Sequence, residues 1–236
     1  MRISRIYIDR TLDESLELTN RETLNYIKVV LRLKQKDRLI LFNGMGSEAL
    51  YQTLDVHHKY INLEKINDIP IEHISKKIIH LYPCLVKTKA MDYIIQKCTE
   101  IGVTSFNLLA SDFSQSSQDK KSTDAKIARW EKIIISACEQ SGRHYLPIIE
   151  KPIKIQSLTP AKDSLFLFFD TNGAHQIKEL VALSFNEAHL LIGPEGGLSQ
   201  QELIFLNEAG WKGYALNMPI LRAETAAVVA STLAII

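Results

Sequence analysis

The chain has 236 residues, 46% hydrophobic and 23% charged, with a formal net charge of +1. That is ordinary for a soluble globular protein with room for one large domain or two small ones. No run approaches the roughly 18 apolar residues of a membrane span, and the charged start Met1-Arg2-Ile3-Ser4-Arg5 lacks the apolar heart of a secretion signal, so a cytoplasmic location is expected.

Along the chain, residues 2–8 alternate like an edge strand and residues 22–33 have helical spacing. Residues 38–47 read as a strand running into a glycine turn, and short strands over 49–56 and 60–66 complete a small barrel-like unit. Pro70 and the polar run 72–77 mark a boundary, so domains are expected over 1–72 and 73–236. From Ile78 onward strands and helices alternate. Residues 78–86 form an apolar run of strand length. Residues 90–101 put Met91, Ile94, Ile95, Cys98 and Ile101 on one helical face, ended by Gly102. A strand over 103–109, a polar loop over 112–124 and a long helix over 125–141 follow. Residues 165–169, 189–192 and 213–216 read as buried strands, with a helix after each of the last two. This rhythm implies an α/β fold, a mostly parallel sheet with helices on both faces.

Cys84, Cys98 and Cys138 are widely spaced and form no CxxC pair, which argues against a disulfide framework or a structural zinc site. Cys98 and Cys138 fall on apolar helix faces and read as small buried hydrophobes, and no metal is expected. Basic residues matter by position more than by sum. Arg2, Arg5 and Arg10 open the chain, Arg32, Lys34, Lys36 and Arg38 follow the first helix, and Lys87, Lys89, Arg143 and Arg222 stand near element ends. Lys34 and Lys36 read as solvated surface charges.

The strongest local signal is Ile192-Gly193-Pro194-Glu195-Gly196-Gly197-Leu198-Ser199, where a buried strand turns into a helix. Ser199 and Glu202 have the spacing of a capping box. A glycine-rich turn at a strand's carboxyl end is where open α/β sheets bind ligands. The spacing is neither GxGxxG nor GxxxxGK[ST], so dinucleotide and P-loop phosphate binding are excluded. On glycine spacing alone, a tight turn with no ligand serves equally well. A second strand-loop-helix run carries Arg222, Glu224 and Thr225 at the mouth of a nearly all-apolar helix. Buried there, such groups must either serve a ligand or pair locally as Arg222–Glu224.

Together, Ile192 to Gly197 and Leu221-Arg222-x-Glu224-Thr225-Ala226 resemble the ribosomal RNA small subunit methyltransferase E family, part of the SPOUT superfamily. Met91 to Val103, Ala137-Cys138-Glu139-Gln140-Ser141-Gly142-Arg143, Val30-Leu31-Arg32 and Leu41-Phe42-Asn43-Gly44 are similar to further segments of that family, in order and over nearly the whole chain. The resemblance implies a SPOUT-type parallel sheet with a C-terminal deep trefoil knot, preceded by a small PUA-like β-barrel domain. It also implies a homodimer that uses S-adenosylmethionine to methylate N3 of a uridine, position 1498, in 16S rRNA of the small subunit. Carried onto this chain, the cofactor pocket would comprise Phe168 with Phe169, Ile192, Gly193, Pro194, Glu195, Gly196, Gly197, Leu216, Asn217, Met218, Ile220, Leu221, Thr225 and Ala226. Arg222 and Glu195 would be catalytic, and Arg2, Arg5, Arg32, Lys87, Lys89 and Arg143 would meet RNA. Asn217 and Pro219 stand where the family pattern has glycine and arginine. Asparagine tolerates left-handed backbone, whereas the missing arginine bears on rate or cofactor affinity. Another rRNA or tRNA target, or an inactive RNA-binding assembly factor, are the alternatives. A nicotinamide dehydrogenase fails because Lys87-Thr88-Lys89-Ala90 offers no glycine after the first strand of the alternating region.

Overall fold

The computed structural model describes residues 3–71, 77–114, 120–159, 164–171, 173–176, 179, 184–216 and 218–236. Arg2 and Asn217, expected at the RNA and cofactor sites, lie outside the described residues. The chain divides into two compact units, one of residues 1–73 with 138–146 and one of residues 74–137 with 147–236.

The first unit is built on a five-stranded sheet of order β1-β3-β4-β5-β2. Its strands are β1 (Ser4–Tyr7), β2 (Ser15–Leu18), β3 (Arg38–Phe42), β4 (Glu48–Val56) and β5 (Ile61–Asp68). β1 runs parallel to β3 and the other pairs are antiparallel. Alternation decides the core: Leu16 and Leu18 turn inward with Leu39, Leu41, Ile61 and Leu63, while Ser15, Glu17, Arg38 and Glu64 face water. Helix α1 (Arg21–Asn25) starts at Asn20, whose side chain accepts from the backbone N–H groups of Glu22 and Thr23. It is shorter than the helical spacing implies, because the chain widens into a π turn over Tyr26–Val30. That turn buries Ile27 and leaves Val29 and Val30 exposed.

Residues 138–146 are stitched into this unit by Arg5. Its guanidinium pairs with Glu48 (Nε to Oε1 2.6 Å) and donates to the carbonyls of Cys138 (2.6 Å) and Arg143 (2.7 Å). It also lies 3.6 Å from the centre of the Phe42 ring. Glu139 accepts from the Tyr7 backbone N–H, and Leu146 N–H donates to Gly44 carbonyl. Gly44 is left-handed (φ +70°), and a Cβ there would meet the Leu146 side chain at 2.7 Å. Arg5 was expected to contact RNA; in the structure its buried guanidinium is engaged by Glu48 and the two carbonyls.

The second unit holds a seven-stranded sheet of order β10-β12-β9-β11-β6-β7-β8, every pair parallel. Its strands are β6 (Ile78–Pro83), β7 (Ser105–Ala110), β8 (Ile148–Lys154), β9 (Leu165–Phe169), β10 (His175–Gln176), β11 (Glu187–Ile192) and β12 (Lys212–Ala215). Its helices are α2 (Thr88–Ile101), α3 (Lys120–Ser141), α4 (Gln200–Glu208) and α5 (Ala223–Ile235), α3 ending within the segment grouped with the first unit. β11 is buried along almost its whole length, as its apolar run requires. Met91, Ile94, Ile95 and Cys98 form the buried face of α2, against which α5 packs. Gly102, with φ +128°, ends α2.

All three cysteines are free and buried. Burial pushes the Cys84 and Cys98 thiols up to about 12 and that of Cys138 to about 11, which removes them as nucleophiles at neutral pH. Burial and the neighbouring His80 push the His189 imidazole down to about 4. Among the described residues, no helix is long and apolar enough to cross a membrane.

Candidate active site

The strand order sets the place. β6 and β11 are neighbours, with Ile192 opposite Pro83 and Cys84 N–H bonded to Ile192 carbonyl at 2.9 Å. Beyond their carboxyl ends the two connections diverge, one through α2 to β7 and the other through α4 to β12, which lie on opposite sides of the pair. Such a switch point opens a crevice between the diverging loops. An open cavity of about 670 Å³ is found there, lined by Lys87, Lys89, Ala90, Tyr93, Glu195, Arg222, Glu224 and Thr225.

Each of these residues is delivered by a nearby element end. Lys87 caps α2 and Lys89 lies in its first turn, a turn with no acidic residue. Positive charge at a helix N-terminus opposes the helix dipole, so these lysines are placed against local stability. Arg222 is the N-cap residue of α5 and makes no side-chain capping bond, and Glu224 and Thr225 follow in the first turn. Charged groups at this helix mouth were expected to be buried and therefore to need a partner. Arg222 and Thr225 are in fact exposed and Glu224 is half-buried, because the mouth opens into the cavity.

The glycine turn is braced from behind. Gly197 N–H bonds to Pro194 carbonyl at 2.9 Å, and Gly197 is left-handed (φ +75°). Gly196 allows a close approach, since a Cβ there would stand 3.1 Å from Phe113 and push it aside by a few tenths of an ångström. Gly193 needs neither, a Cβ meeting only ordinary contact with Leu198 at 3.5 Å. Of the three glycines, one therefore serves backbone geometry and one close approach. Ser199 and Glu202 form the expected capping box. Glu202, fully buried, accepts from the backbone N–H groups of Ser199 (2.8 Å) and Asp112 (2.9 Å). The loop after β7 is thereby tied to the loop after β11.

Glu202→Ala is expected to destabilise the protein by about 1–3 kcal/mol, because it removes half of the capping box and takes the acceptor from the Ser199 and Asp112 N–H groups. Urea unfolding checks this, and a loss under about 0.5 kcal/mol would mean the clamp carries no load.

Phe168 packs in the core beneath Gly213, where a Cβ would come 2.7 Å from its ring. Ile192 and Pro194 are buried beside the turn, Leu216, Leu221 and Ala226 are half-buried, and Met218 and Ile220 are 50% and 87% exposed. Arg32 (φ +55°) is exposed in the first unit. Arg143 is partly buried there, which lowers its pKa. The cavity thus gathers Lys87, Lys89, Glu195, Arg222 and Thr225 and leaves the other expected residues that the structure describes outside its lining. Tyr93, 46% exposed on α2, was not anticipated. An aromatic ring off the apolar face of an amphipathic helix was its only signal.

Residues 74–235 match the model of an RNA methyltransferase domain, and residues 18–66 that of an RNA methyltransferase PUA domain. A Rickettsia conorii protein named ribosomal RNA small subunit methyltransferase E is 32% identical over 98% of this chain and 94% of its own length. The chain belongs to the ribosomal RNA small subunit methyltransferase E family. A family member from Neisseria gonorrhoeae, solved bound to S-adenosyl methionine, superposes with a TM-score of 0.89 at 26% identity, covering 98% of this chain and 95% of that one. A protein from Legionella pneumophila solved with bound SAM reaches 0.91 at 30% identity, over 99% and 97%. These matches agree with the α/β fold, its parallel sheet and the PUA-type N-terminal domain.

Proposed function

We propose that this family member transfers a methyl group from S-adenosylmethionine to N3 of a uridine, position 1498, in 16S rRNA of the small ribosomal subunit. The observation that carries this reading is the cavity at the β6/β11 switch point, where a glycine turn meets Arg222, Glu195 and two lysines.

The residues present suit such a cofactor. The turn from Gly193 to Gly197 exposes backbone with little side chain in the way, and Ile192 and Pro194 give it an apolar base. The loop after β12 shows Met218 and Ile220 to solvent, a cost that an adenosine, a thioether or a second subunit would relieve. Bound there, the cofactor supplies an electrophilic methyl group on a sulfonium.

The remaining work falls to side chains. A uracil N3 attacks once its proton has passed to solvent, and the negative charge left on the base then needs a cation. Arg222, exposed in the cavity and outside any capping bond, is the group to supply it. Glu195 lines the same space and can accept the imide N–H during orientation. Lys87 and Lys89 are suited to flanking phosphates. A trefoil knot and a homodimer belong to the same reading. The knot is supported by the path of the chain, which returns from β12 near one edge of the sheet to lay α5 against α2, β6 and β11, and the homodimer rests on the family resemblance.

The test is incubation of the purified protein with methyl-labelled S-adenosylmethionine and small subunits lacking the modification. Label confined to N3 of one uridine near the 3′ end of 16S rRNA supports the reading. Label elsewhere overturns the target, and cofactor binding without transfer points to an RNA-binding assembly factor.

A double Lys87→Ala/Lys89→Ala variant is expected to bind RNA more weakly and to lower the salt dependence, the slope of log K against log salt falling by about 1–2. Cofactor affinity should hold. Thermal stability should rise slightly, since each lysine opposes the dipole of α2 by roughly 0.3–1 kcal/mol. An unchanged salt slope would remove these lysines from the RNA interface.

A further inference from the structure

At the opposite end of the same strands, a second polar cluster stands apart from the cavity. We propose that His80, Glu187 and His189 form a zinc-binding site at the amino-terminal edge of the parallel sheet.

Strand geometry brings the three together. Glu187 and His189 are two apart on β11 and so project from one face, and His80 on β6 is the direct register partner of His189. One carboxylate oxygen of Glu187 lies 3.1 Å from His189 Nε2 and 3.4 Å from His80 Nε2. Two ligand atoms on a tetrahedral zinc, with bonds of about 2.0–2.1 Å, are separated by about 3.3 Å. The donor atoms of all three residues lie within 4.8 Å of one another.

The outer nitrogens are already held. His80 Nδ1 is 2.7 Å from Ser105 Oγ, an oxygen that also accepts from Asn107 Nδ2 at 2.8 Å. His189 Nδ1 is 3.0 Å from the Tyr82 hydroxyl. Hydroxyl partners on both Nδ1 atoms leave both Nε2 atoms for ligation, the outer-shell arrangement that orients metal-bound histidines. His189 is clamped between Phe166 (centroids 4.2 Å) and His80 (4.7 Å), so it is the fixed ligand. The two imidazoles lie only 22° from parallel. A cation in both ring planes therefore requires His80, the more exposed ring, to turn about χ2, exchanging its present Ser105 contact and its stack on His189 for ligation. Glu187, with a side chain 39% exposed, opens the site to solvent and leaves a fourth position for water.

Two imidazole nitrogens and one carboxylate oxygen favour zinc over magnesium or calcium, which prefer oxygen ligands throughout. The sequence had pointed to no metal because cysteine spacing was the signal read. Two histidines from strands far apart in the chain leave no such spacing.

The test is calorimetric titration of zinc chloride into the chelator-stripped full chain, with cobalt substitution as a spectroscopic check. One equivalent is expected to bind with micromolar or tighter affinity, and cobalt should give the visible absorption of a four-coordinate ion. Glu187→Gln and His80→Asn, both at partly exposed positions, should each weaken binding at least tenfold while circular dichroism and cofactor binding stay unchanged. His189→Ala should abolish it. Absence of saturable binding to the parent chain would overturn the proposal, as would parent-like affinity in both Glu187→Gln and His80→Asn.

Discussion

Arg222→Ala is expected to lower kcat for methyl transfer by about 10²–10³-fold, the usual consequence of removing one preorganised charge from a developing anion, while S-adenosylmethionine affinity changes little. Arg222 precedes α5, makes no side-chain capping bond, and faces the same cavity as Glu195 and Thr225. A cation beside uracil favours its N3 anion, so it lowers the pH at which the base becomes reactive. Without Arg222 that anion must form unaided, and the rising limb of the pH–rate profile should move to higher pH. Arg222→Lys keeps the charge on a longer, more mobile stem and should recover part of the rate. Single-turnover kinetics at saturating cofactor, measured across pH, separates the possibilities. A raised cofactor Kd with unchanged saturated rate would make Arg222 a cofactor-binding residue. An unshifted pH profile would remove it from anion stabilisation.

Legibility in the sequence followed the physical origin of each feature. The glycine turn and the capping box were readable because both are local: positive φ, close approach and a Ser199–Glu202 bond each involve residues a few positions apart. Buried central strands were readable because both faces are covered, which leaves a continuous apolar run. Edge strands were readable only in part: the alternation of β1 showed, but β2, β8 and β10 did not. β8 carries two lysines, a glutamate and Pro152, a composition tolerated only where one side of the strand is unpaired. β10 has two residues, and β2 has four, set among charges. Local spacing also could not show that α1 would widen at Tyr26.

The candidate site divides in the same way. Gly193 to Gly197 and residues 222–225 were each visible as strand-to-helix connections, but their meeting place was not, since it depends on β6 and β11 being neighbours. Charge reading went astray where tertiary contacts decide. Glu202 could be read as half of a capping box, yet its bond to Asp112 spans 90 residues and has no sequence signature. Arginines at chain ends and element ends look alike as sequence, whether they meet solvent, RNA or carbonyl groups. Arg5 and Arg222 came out at opposite extremes, one buried and saturated, the other exposed at an open cavity.

Arg5→Met should therefore behave as a stability variant, lowering unfolding free energy by about 3–5 kcal/mol, the cost of breaking a buried ion pair from one side. Its side chain is 9% exposed and that of Glu48 is 5% exposed, so solvent screens little of the interaction. Methionine roughly matches the aliphatic stem and retains packing on Phe42. What it removes is the set of donors: Nε to Glu48, Nη1 to Cys138 carbonyl and Nη2 to Arg143 carbonyl. Three acceptors are left short of a partner, one of them a carboxylate. Arg5→Lys should recover less than half, because a single ammonium cannot reach in three directions from one stem. The segment released is Cys138 to Arg143, so protease cleavage near Gly142 should accelerate before global unfolding. Urea titration with limited proteolysis measures both effects. A loss under about 1 kcal/mol with an unchanged cleavage rate would show that this segment is held by its Glu139, His144, Tyr145 and Leu146 contacts without Arg5. Unchanged stability with weakened RNA binding would return Arg5 to the RNA interface.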